Sequence, residues 1–140
     1  MADEITIQYS LSVLNGNLQE RRQTQFQADQ TTAKGPTPGA LTIPTTGEDI
    51  SLAEVTTPGV GRVLNLDATN FVMVGIRDPD SDLFYPLVEL LPGESYLMRF
   101  SRYLTREIVG TGTGTGTTNN FLHLRADTAA CVVLLEIFDK

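Results

Sequence analysis

The stretch Asn70-Phe71-Val72-Met73-Val74-Gly75-Ile76-Arg77-Asp78-Pro79-Asp80-Ser81-Asp82-Leu83-Phe84-Tyr85-Pro86-Leu87-Val88-Glu89-Leu90 decides the fold class. Two apolar runs, Asn70 to Ile76 and Leu83 to Leu90, are rich in Val, Phe, Tyr and Leu and too short for ordinary helices. Between them Asp78-Pro79-Asp80-Ser81-Asp82 has the chemistry of a tight turn, so the stretch reads as two strands joined by an acidic connection. Outward from it, similar segments recur at short intervals: Ile50 to Val55, Arg62 to Leu66, Ser95 to Phe100, Phe121 to Arg125 and Cys131 to Phe138. No window carries an apolar stripe of helical period with caps. The pattern predicts an all-β chain, an antiparallel β-sandwich or jelly-roll-like barrel.

The N-terminus adds a hairpin. Ile5, Ile7, Tyr9, Leu11 and Val13 alternate with Thr6, Gln8, Ser10 and Ser12, giving one apolar and one polar face, and Asn15-Gly16 supplies the two residues of a type I′ turn. With Leu14 and Asn17 flanking the turn, Ile7 pairs with Thr24, Ile5 with Phe26, Tyr9 with Arg22 and Leu11 with Glu20. The return strand is polar and Gln-rich. Left open it is a pairing hazard, so Gln19, Arg21, Arg22, Gln23 and Gln25 are expected to contact another subunit or partner. Residues 29 to 49 contain two loops by composition, around a short segment at Leu41-Thr42-Ile43. The expected organisation is one β domain over 1–140, with a hairpin arm at 1–30 and a sandwich at 40–140.

At 140 residues, 41% of them hydrophobic and 19% charged, the chain is long enough to bury a core without disulfides. No apolar run is long enough to span a bilayer as a helix, and Met1-Ala2-Asp3-Glu4 lacks the basic start and apolar core of a signal peptide, so no membrane association and no export by the general route are expected. The formal net charge of −7 argues against nucleic acid, which requires clustered Lys and Arg. A single cysteine, Cys131, excludes an internal disulfide and sits in an apolar string where a buried, inert thiol is expected.

Residues that do chemistry are scarce. One histidine, His123, one cysteine and no tryptophan leave little from which to build a metal cage or a nucleophile–base pair, so no enzyme activity and no cofactor are expected. A weak Ca²⁺ alternative remains at Asp78, Asp80 and Asp82, with Glu89 at the position of a bidentate twelfth ligand. Leu83 stands where such a loop requires glycine, however, and strands flank it instead of helices. His123 reads as a hydrogen-bonded sheet residue. Residues 110–118, an alternating Gly-Thr run, lack the lysine and helix of a phosphate loop; they read as a flexible loop ordered against a partner through Gly112, Thr113 and Gly114.

The second half of the chain resembles small β-sandwich structural proteins of tailed bacteriophage virions. The resemblance is carried by the strand Asn70-Phe71-Val72-Met73-Val74-Gly75-Ile76, by Phe84-Tyr85-Pro86-Leu87-Val88-Glu89-Leu90-Leu91-Pro92-Gly93-Glu94 with the strand Tyr96 to Phe100, and by Leu124-Arg125-Ala126-Asp127-Thr128-Ala129-Ala130-Cys131 leading into a terminal strand. It covers about half the chain, from roughly residue 64 onward; the hairpin and the Gly-Thr run lie outside it. What it implies is a capsid decoration or cement protein on the virion surface, made in the host cytoplasm. Such a protein would bind the major capsid protein as a homo-oligomer, a trimer in particular. A tail, neck or fibre component and a carbohydrate-binding module are the alternatives, the latter weakened by the shortage of flat aromatic rings.

Overall fold

From the third strand onward the chain pairs with itself from the outside in. In the computed structural model, which describes residues 5–30, 35–55, 57–101, 104 and 120–139, β3 (Thr37–Ile43) pairs with β10 (Cys131–Asp139) and β4 (Glu48–Asp49) with β9 (Phe121–Ala126). Further in, β5 (Pro58–Asn65) pairs with β8 (Ser95–Arg99) and β6 (Val72–Asp78) with β7 (Leu83–Leu90). All of these pairs are antiparallel. Two further ladders, β10 with β5 and β9 with β6, roll the nested hairpin into two four-stranded sheets, ordered β3-β10-β5-β8 and β4-β9-β6-β7. The chain is thus all-β, with antiparallel sheets packed as a sandwich.

The period-2 pattern explains which faces meet. Cys131, Val133, Leu135 and Ile137 of β10 are fully buried while Leu134, Glu136 and Phe138 are half-buried on the outer face. Leu122, Leu124 and Ala126 of β9, Val72 and Val74 of β6, Val63 of β5 and Ile43 of β3 complete the core between the sheets. Ile50, Leu52 and Val55 also belong to it, but the expected strand over Ile50 to Val55 is absent. After the two residues of β4, the Ile50 amide bonds to Leu122 and the chain turns back on itself through Val55 N–H to Leu52 C=O. Alternating burial there comes from a loop plugging one end of the sandwich, a pattern indistinguishable from a strand by period alone.

The opposite correction applies to Pro36 to Gly39, read as loop: Thr37 to Gly39 open β3. Because β3 is an edge strand, Pro38 costs no ladder bond on its solvent side. β7 is also an edge and carries Pro86. Its register with β6 shifts between Val74 and Gly75, leaving Leu87 as the extra residue of a bulge. Gly75 is required by this close approach, since a Cβ there would lie 2.1 Å from the Tyr85 carbonyl oxygen.

The N-terminal hairpin forms a separate two-stranded sheet of β1 (Ile5–Asn15) and β2 (Leu18–Ala28), but its register differs from the expected one. Asn15 pairs with Leu18, so the turn residues are Gly16 and Asn17. Gly16 has φ 55° and Asn17 is not in the left-handed region, the signature of a type II′ turn in place of type I′. Each partner moves two residues along β2, which keeps the faces but sets Ile7 opposite Phe26 and Ile5 opposite Ala28. Arg22 now faces Leu11, and Glu20 faces Val13. The observed register matches apolar with apolar at the base of the arm, where Ile7 and Ala28 are buried.

Candidate functional site

The arm carries exposed apolar side chains. Beyond its buried base, Tyr9, Leu11, Leu14 and Leu18 are exposed, Leu14 at 78% and Leu11 at 56%. The residues expected to meet a partner, Gln19, Arg21, Arg22, Gln23 and Gln25, are all exposed on β2. Only two have side-chain partners in the arm: Gln25 accepts a hydrogen bond from Gln8 at 2.8 Å and Arg22 donates to Glu20 at 3.1 Å. Alternation places Gln19, Arg21, Gln23 and Gln25 on one face and Arg22 on the other with Leu11. Gly112, Thr113 and Gly114, like the whole 110–118 run, lie outside the described residues.

The acidic turn does not assemble the Ca²⁺ set. Asp78 accepts hydrogen bonds from the Asp80 amide at 3.0 Å and the Ser81 hydroxyl at 2.7 Å, which together hold its carboxyl below the usual carboxylate range. Asp82, in the left-handed region at φ 55°, pairs with Arg77 at 2.8 Å. Glu89 lies near the far end of β7, opposite Met73 and away from the turn. Among the described residues no group of three or more His, Cys, Asp and Glu side chains is placed to hold a metal ion.

A polar cluster that the sequence did not reveal sits on the outer face of the β4-β9-β6-β7 sheet. Asp49 of β4 accepts from His123 Nδ1 at 2.8 Å and from Arg77 Nε at 2.8 Å, with a second bond from Arg77 Nη2 to its other oxygen. The imidazole is buried, tilted against Phe84 with ring centroids 4.7 Å apart, and the Arg125 guanidinium lies over the Phe84 ring, 5.0 Å from its centroid. Strand pairing brings these residues together: Asp49 is opposite His123, His123 opposite Gly75, and Arg77 opposite Phe121 and Phe84.

An Asp–His pair is the core of many general-base sites, but this one is covered over. A Cβ on Gly47, whose φ is 85°, would lie 2.1 Å from His123 Nε2, so the turn before β4 walls off the nitrogen a substrate would need. What the arrangement does is clasp a two-residue strand to the sheet. Burial raises the Asp49 pKa, but the bonds from Arg77 and His123 outweigh it and hold the carboxyl below its ordinary range; the same pairing raises that of Arg77. With a folded pKa below the unfolded one, Asp49 contributes stability that is present above about pH 4 and lost as pH falls through the folded value. The gap in thermal midpoint between the native chain and Asp49→Asn is therefore expected to be constant near neutrality and to shrink below about pH 4. A gap independent of pH down to acid unfolding would contradict this.

No family model matches the chain, and no curated protein or solved structure matches it.

Proposed function

We propose that this chain is a non-enzymatic structural protein of a tailed-phage virion, a capsid decoration or cement protein that sits on the shell as a homotrimer and reinforces contacts between major capsid subunits. The observation that carries the reading is the arm: two 11-residue strands that, among the described residues, pair only with each other, apolar at the tip and open along both edges. A two-stranded hairpin of this kind is marginal alone and gains stability by packing on another surface. The nesting of β3 to β10 as one rolled hairpin supports a jelly-roll reading of the sandwich, an architecture suited to rigid display of arms and loops. The chemistry available supports binding over catalysis, since the one Asp–His pair is committed to holding strands together.

Cryo-electron microscopy of purified particles tests the assignment directly. Density for the sandwich on the outer capsid surface, in three-fold clusters with each arm lying against a capsid subunit, is the expected result. Density confined to the neck, tail or fibre would move the protein to another virion role, and its absence from particles would remove the reading.

A further inference from the structure

We infer that the groove between the arm and the outer edge of β8, which is unpaired among the described residues, is a strand-accepting slot, filled by an extended, carboxylate-bearing segment of a partner protein that adds itself to the β3-β10-β5-β8 sheet. The source of that segment rests on the assembly reading above; the chemistry of the slot does not. Of the four sheet edges in the sandwich, three are blunted. β3 carries Pro38, β7 carries Pro86 and a bulge, and β4 is two residues long. β8, Ser95-Tyr96-Leu97-Met98-Arg99, has no proline and pairs with β5 without a register break, and its one charge, Arg99, stands at its end, so it is the least blunted of the four.

The ladder fixes which groups it offers. Bonds from the Asn65 amide to Glu94 and from the Phe100 amide to Gly59 mark the hydrogen-bonded pairs at the two ends of β8. Alternation then turns Tyr96 and Met98 toward β5 and leaves the N–H and C=O of Ser95, Leu97 and Arg99 facing out. A groove of about 690 Å³ is lined by all five residues of β8. Consecutive side chains leave opposite faces, so a groove that touches every one of them runs along the strand's edge. Its far wall includes Gln8 and Tyr9, again consecutive. In a hairpin closed on Asn15 and Leu18, the odd-numbered residues of β1 bond to β2, so Gln8 also presents its backbone outward. Two free edges thus border one groove, along a strand about 17 Å long.

Side chains define the occupant. Tyr9, Phe26, Tyr96 and Met98 are apolar walls, and the charged lining is Arg62 and Arg99, with no acid. Arg62 is bound to Glu136 at 2.6 Å, which leaves the exposed Arg99 as the net charge. A segment alternating apolar and small polar residues, with a carboxylate at the Arg99 end, meets both requirements.

The test is residue-resolved amide exchange on the full chain, with two end-blocked peptides as probes, Asp-Val-Thr-Val-Thr-Val and its counterpart with Lys for Asp. The Asp peptide is expected to slow exchange at Leu97 and Arg99 about ten-fold, the effect of one added hydrogen bond each, and to leave Tyr96 and Met98 unchanged. Leu97→Pro, which removes an N–H the fold does not use, is expected to abolish the effect with the thermal midpoint retained, and Arg99→Glu to transfer the preference to the Lys peptide. No slowing at saturating peptide would overturn the inference. So would protection of Leu97 and Arg99 that rises with protein concentration alone, because a second copy would then fill the slot. Peptide protection in a chain that fails to bind capsid shells would uphold the slot and remove the virion assignment; shell binding without peptide protection would do the reverse.

Discussion

Replacing Asn65 by leucine is expected to destabilise the protein by roughly 3 to 5 kcal/mol. Asn65 closes β5 and is 0% exposed. Its amide nitrogen donates to the Asn70 carbonyl at 2.9 Å and the Leu90 carbonyl at 3.0 Å, and its side-chain oxygen accepts from the Asp67 amide at 2.9 Å. One side chain therefore ties the last residue of a strand in one sheet to the start of β6 and the end of β7 in the other. Leucine fills the volume but leaves the buried Leu90 carbonyl and the half-buried Asn70 carbonyl and Asp67 amide without this partner, each costing about 1 to 3 kcal/mol where water does not reach. Chemical denaturation of the two proteins measures the difference. A loss under about 1 kcal/mol would mean that water reaches the site.

A second large effect is expected at the Asp49 clasp. Asp49→Ala leaves the Arg77 guanidinium and the buried His123 imidazole without their shared acceptor. Removing one member of a partly buried ion pair is expected to cost about 2 to 3 kcal/mol, discounted because Arg77 keeps the exposed Asp82 as a partner. The loss is expected to be local first. β4 has two residues, and in its ladder the Asp49 amide faces away from β9 while the Ile50 amide bonds to Leu122, so amide protection at Ile50 is expected to fall before that of β9. Equal loss of protection across the whole sheet would show that β4 unfolds only with the core.

How much of this was legible in the sequence follows from what each signal depends on. β7, whose run is bounded by an acidic turn and Leu91-Pro92-Gly93, falls at the expected residues, and β6, β8, β9 and β10 fall within two of them, because period and turn chemistry are local. The Ile50 to Val55 segment was misread because a buried loop and a strand share the same alternation. The hairpin register was displaced because Asn15-Gly16-Asn17 contains two overlapping two-residue turns, and the choice between them lies in how Phe26 and Ala28 match β1. Neither Asn65 nor the Asp49–His123–Arg77 cluster carried a signal. Asn65 reads only as one residue of the expected strand Arg62 to Leu66, and the cluster is assembled from β4, β6 and β9, separated along the chain and joined only by the outside-in pairing. The groove beside β8 was likewise invisible, since an edge is defined by which strand is missing.

The proposed role of the arm as the attachment element of an assembly module is tested by co-sedimentation of the purified chain with shells of the major capsid protein. The native chain is compared with Leu11→Asp/Leu14→Asp, which charges the exposed arm tip and leaves the buried base untouched. Saturable binding by the native chain, weakened about 100-fold in the double variant, is the predicted result, as expected when two apolar anchors of an interface are lost. Equal binding by both proteins, or none by either, would contradict it.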